Sequence, residues 1–149
     1  MSETVWLVLV TGVLSAAAVT MAAWPIARTD PRLPDRVVGE LRLARWAGIL
    51  VAAVGGISVG LAIARHELPM AHLDASLGVV FVGLGGVLLQ REPREGLLLA
   101  SGLFLAHALL NIAHRPGWLP AEVAPHWFTV GCAIYDVYMA GVCFWVWKR

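Results

Sequence analysis

The chain has 149 residues, of which 59% are hydrophobic and only 14% charged, with a formal net charge of +1. A soluble domain of this size carries about 25% charged and roughly 45–50% apolar residues, so lipid is the expected solvent for much of the surface. Near-neutral charge with no basic run excludes nucleic acid as an expected partner, and the cysteines, Cys132 and Cys143, support neither a disulfide framework nor a CxxC motif.

In chain order, the first apolar stretch is Val5–Trp24. A membrane helix needs about 20 residues, and this one has them. Its "SAAAVTMAA" imitates a signal-peptide cleavage region, but "MSET" before it has no Lys or Arg, so a retained span is expected. Gly12, Ala16 and Thr20 give it a face of small residues. The connection "PIARTDPRLPDRVVGELRLAR" follows, read as a solvated surface. Asp35 is placed to N-cap a helix from about Arg36 into the next span, with Arg36 and Glu40 in pairing distance at i, i+4.

The second span, Trp46–Ala64, carries Gly48, Ala52, Gly56, Gly60 and Ala64 at four-residue intervals, a pattern for close backbone approach in a bilayer. It is the expected centre of the bundle. The third, Leu73–Gln90, offers Gly78 and Gly86. Arg91 and Arg94 separate it from the fourth, Leu97–His114, and the fifth is Trp127–Trp147. Every proline is assigned to a connection, where a missing N–H costs least. The fold class expected is one all-α domain of five transmembrane helices.

Charge orients it. Arg28, Arg32, Arg36, Arg42, Arg45, Arg91, Arg94, Lys148 and Arg149 fall on one side, against Arg65 and Arg115 on the other. The positive-inside rule then sets the N-terminus outside and the C-terminus in the cytoplasm, in a bacterial-type cytoplasmic membrane. Trp6, Trp24, Trp46, Trp127, Trp145 and Trp147 all lie at span ends, the distribution of an interfacial aromatic belt.

With this topology all five histidines belong to the outer side or the outer half of the bilayer. At ~1.5 Å rise per residue, His107 lies ~12 Å below the outer end of the fourth helix and Asp136 ~14 Å below that of the fifth. The two helices are antiparallel neighbours, so the deepest ionisable side chains are expected to meet. Pairing offsets part of the ~2.5–3.5 kcal/mol that a charge costs at bilayer centre. His107, Asn111 and His114 form one stripe, and Thr129, Cys132, Asp136, Ala140 and Cys143 another. Thr11, Ser15, Ser58, Asp74 and Ser76 add polarity to the same half. A polar cleft, open outward and closed near mid-membrane, is the expectation.

That cleft supports competing readings. One is a site for a small or lipophilic ligand, a proton or an ion, built from His107, Asn111, Asp136, Cys132, Tyr135 and Ser58; against it stands a purely structural His107–Asp136 pair. A second is zinc or copper, held by His107, His114 and His126 or by His66, Met70, His72 and Asp74, at spacings that match no established metal motif. A third is an enzyme in which His107 and Asp136 are catalytic, doing acid–base chemistry on a lipophilic substrate beside Tyr135, Tyr138 and Asn111. No nucleophile elbow, HExxH or phosphate loop accompanies them. A fourth is an accessory subunit of a larger membrane complex, or a homo-oligomer.

Overall fold

In lipid, each segment must satisfy its own backbone N–H and C=O groups, which leaves an apolar run little choice but helix. The computed structural model describes residues 3–67, 71–113 and 124–149, and these form five helices: α1 (Glu3–Arg28), α2 (Pro34–Ala64), α3 (Ala71–Leu88), α4 (Pro93–Ala113) and α5 (His126–Lys148). All are long and apolar enough to cross a membrane. Large apolar side chains cover the outside, with Val13, Leu14 and Met21 each more than 60% exposed. A surface of that kind suits lipid and would aggregate in water.

Two antiparallel hairpins, α2–α3 and α4–α5, pack through an α2–α4 seam, and α1 lies against α5 with its C-terminal end touching α2. Helix α2 meets all four others, so the expected centre of the bundle holds. Its packing face differs from the expected stripe. Gly48 opposes Gly85 and Gly55 opposes Gly78, while Gly56, Gly60 and Gly86 have open space where a Cβ would point. The reason is angular. Residues four apart advance 400° and drift ~40° per step, whereas seven-residue spacing drifts only ~20°, so a seven-residue repeat keeps one face over two contacts.

Proline placement also departs from expectation. Pro25 lies inside α1, and Pro34 and Pro93 open α2 and α4. The latter two occupy the first turn, where an N–H has no intrahelical partner anyway. Past Pro25 the helix gains Thr29, whose N–H and hydroxyl both donate to the Pro25 carbonyl (3.1 and 2.9 Å), and Arg28 stacked 4.1 Å over the Trp24 ring. Asp35 makes no capping bond; Leu33 is the N-cap residue of α2.

The first connection is not wholly solvated. Arg36 and Glu40 are 1% and 4% exposed. The Arg36 guanidinium donates from Nε to Glu40 Oε1 (2.7 Å), from Nη2 to the Val146 carbonyl (2.8 Å) and from Nη1 to the Ile26 carbonyl. Arg94 Nη2 donates to the Trp147 carbonyl (2.6 Å). Carbonyls near the C-terminal ends of α1 and α5 lack intrahelical donors, and arginines supply them. The dense core, including Leu43, Val51, Leu97, Phe104, Met139 and Val146, fills this half of the bundle. The opposite half, where α5 begins, holds a second set of buried polar groups, including His107, Thr129 and Asp136.

Candidate functional site

Helix α4 turns His107 inward because Leu103, Phe104, Ala108 and His107 share its buried face. Helix α5 buries Asp136 among Thr129, Met139 and Ala140 by the same logic. The side chains meet: His107 Nδ1 lies 2.6 Å from Asp136 Oδ2, and Asn111, one turn on, places its amide nitrogen 3.1 Å from the same Nδ1. Asp136 is 0% exposed and His107 9%. Asp136 Oδ1 meets no hydrogen-bond partner among the described residues. The Phe81 ring stands edge-on to the imidazole at 5.1 Å and 81°. At 2.6 Å the His–Asp contact is shorter than an ordinary neutral N–H···O bond. A proton on Nδ1 aimed at the carboxylate requires Asn111 to turn its amide oxygen, not its nitrogen, toward that N–H, and then leaves Nε2 as the ring's other nitrogen.

His107 also lines a cavity. Its volume is about 80 Å³, room for several waters or a group of a few heavy atoms; it is partly open and lies in the half of the bundle where α5 begins. The lining comes from both hairpins: Val54, Ile57, Ser58 and Leu61 of α2, Asp74, Leu77, Gly78 and Phe81 of α3, His107, Leu110 and Asn111 of α4, and Phe128, Thr129 and Cys132 of α5. Asp136 is not part of the lining and stands behind His107. The pairing is therefore a direct hydrogen bond with a cavity on one side of it.

The sequence-predicted residues divide accordingly. His107, Asn111, Ser58, Asp74 and Cys132 come together on the cavity, and Asp136 touches it only through His107. Tyr135 is elsewhere. Its hydroxyl shares a 2.8 Å hydrogen bond with Ser15, and Tyr138 bonds Thr20 at 2.5 Å, so both tyrosines fasten α1 to α5. Tyr135→Phe is expected to cost about 1 kcal/mol in a denaturant titration in detergent, the worth of one such bond, and to leave the cavity unaltered.

His72 and His126 are exposed, at the beginnings of α3 and α5. His114 and Met70 lie outside the described residues. Among the described residues no three His, Cys, Asp or Glu side chains converge as a metal site would require. Phe81, Gly78 and Phe128 were missed as wall residues. The signal for the first two was present, since Asp74, Gly78 and Phe81 follow the i, i+4, i+7 stripe. Comparison with protein-family models, characterised proteins and solved structures finds no match to this chain.

Proposed function

We propose that the chain crosses its membrane five times, N-terminus outside, and acts as a binding protein for a small ligand that enters the His107 cavity from the outer side. The observation that carries this reading is double. His107 is held by a fully buried carboxylate, and the same ring lines an open cavity. A polar pair serving packing alone needs no space beside it. Intramembrane ionisable groups next to water-accessible space are the usual mark of a ligand or proton pathway. Asp136 fixes the ring and its tautomer, and His107 presents Nε2 to the occupant, with Ser58 and Asn111 beside it.

Cys132 provides the test, because it lines the cavity whereas Cys143 is 0% exposed. A membrane-impermeant methanethiosulfonate added to intact cells expressing the chain is expected to modify one thiol, and Cys132→Ser to abolish the reaction. Modification only after the membrane is opened, or at Cys143, would sink the reading. The fixed imidazole favours a second reading as well, acid–base catalysis on a lipophilic substrate. Turnover lost in both His107→Gln and Asp136→Asn at unchanged thermal stability would separate it from binding alone.

A further inference from the structure

Two polar groups of the cavity wall change roles together. His107 Nδ1 is engaged by Asp136 and by one end of the Asn111 amide, which leaves the ring's Nε2 and the other end of that amide for an occupant. A neutral imidazole holds one hydrogen. On Nδ1 it donates to the Asp136 carboxylate; Asn111 then turns its oxygen to the ring, its NH2 is left as a donor, and Nε2 is left as an acceptor. On Nε2 it makes that nitrogen the donor; Nδ1 then accepts from a protonated Asp136 and from the Asn111 NH2, and the Asn111 oxygen is left as an acceptor. A doubly protonated ring leaves two donors, but Ser58 stands on the same wall. Its hydroxyl donates to the Val54 carbonyl (3.3 Å), so its oxygen is an acceptor in every case. Cys132 adds a thiol, a weak donor. The wall therefore holds at least one donor and one acceptor in every protonation state of His107.

Charge is not on offer in the same way. Asp136 faces the cavity only through His107, Asp74 already has a partner, and among the described residues no Lys or Arg lines the space. An ion would shed its hydration shell without an unengaged opposite charge to touch. Most of the remaining lining is apolar, including Val54, Leu61, Phe81 and Leu110. Ile57 both lines the cavity and is 49% exposed, so the wall continues onto a surface that the five-span reading puts in lipid. An ether only accepts, an ammonium only donates, and a carboxamide must turn over to exchange its two roles. A hydroxyl does both at once and exchanges them by rotating about its C–O bond, with its oxygen in place. Resting on the binding reading above, we propose that the cavity takes the hydroxyl end of an uncharged lipophilic alcohol. The hydroxyl lies between His107 Nε2 and the Asn111 amide, and the chain leaves past Ile57 into the outer leaflet.

The experiment uses the full chain in detergent and follows modification of Cys132 by a thiol reagent, with the fully buried Cys143 as the unreactive thiol. The 15N signals of the His107 ring, identified with His107→Gln, give a second readout. Four probes are titrated: 1-butanol, its isomer methyl propyl ether, n-butylammonium and butyrate. 1-Butanol is expected to slow the modification with an apparent Kd roughly tenfold below that of the ether, the worth of one added hydrogen bond, and to bind more tightly than either ion. Asn111→Leu keeps the side-chain volume and is expected to weaken 1-butanol roughly tenfold, whereas Tyr135→Phe leaves it unchanged. An ether or an ion that matches the alcohol in the parent chain, or an Asn111→Leu chain that binds the alcohol as the parent does, overturns the hydroxyl assignment while the cavity remains a ligand site. If no probe slows Cys132 modification or moves the His107 signals, the hydroxyl assignment and the binding reading fall together.

Discussion

Glu40→Ala is expected to destabilise the bundle by about 3–5 kcal/mol. Glu40 is the only carboxylate bonded to Arg36 among the described residues, and the Arg36 guanidinium is 1% exposed. Removing Glu40 leaves a buried cation with carbonyl acceptors alone. Arg94 does not change this, because it is itself a cation, half exposed and 3.9 Å from Glu40. Changing both partners should cost less than changing one. The pair Arg36→Met with Glu40→Leu removes the buried charges together, and the remaining penalty comes from the Val146 carbonyl, which loses its Arg36 donor, and from the Ile26 carbonyl, which keeps the Thr29 N–H at 3.2 Å. Unfolding titrations of the single and double variants in one detergent give the comparison. A single-variant cost under about 1 kcal/mol would show that the ion pair is solvated after all.

The second large effect separates adjacent glycines. A Cβ at position 55 would stand 2.5 Å from the Gly78 carbonyl oxygen and 2.8 Å from the Val82 backbone nitrogen. Backbone atoms cannot rotate away as a side-chain tip can, so Gly55→Ala must push α2 and α3 apart. Overpacking of this kind costs about 1–3 kcal/mol, against which alanine's better helix propensity returns up to ~1 kcal/mol. Position 56 has open space, and Gly56→Ala should be neutral or stabilising by up to ~1 kcal/mol. Thermal unfolding of the two variants decides the matter; equal Tm values would mean that the α2–α3 contact is looser than its glycines imply.

These cases mark what could be read from the sequence. Hydropathy located the helix ends to within four residues except at the start of α2, which begins at Pro34 and not at Trp46; there the capping pattern, with a helix from about Arg36, came nearer. The His107–Asp136 contact was legible from depth alone, since a short connection fixes two helices antiparallel and equal rise sets their residues side by side. Rotation about a helix axis was harder to read. The choice between Gly55 and Gly56 is a 100° question that spacing by fours answered wrongly. The direction of Tyr135 depended on where α1 would lie, and its neighbour in space, Ser15, is far off in sequence. Burial of Arg36 was hidden for a similar reason: its partners are carbonyls of α1 and α5, and backbone acceptors leave no trace in residue identity.

Among the described residues, the Arg36 cluster joins the two hairpins at the end of the bundle away from the cavity. Arg36 of α2 reaches α5, and Arg94 of α4 approaches Glu40 of α2, while at the far end the same hairpins are separated by the cavity. The α2–α3 hairpin is stiffened along its length by glycine contacts at two levels. Mechanically the molecule is a pair of staves pinned at the base. A widening of the cavity by rotation of one hairpin against the other would pivot near Arg36, and the side chains at the beginning of α5 would travel furthest.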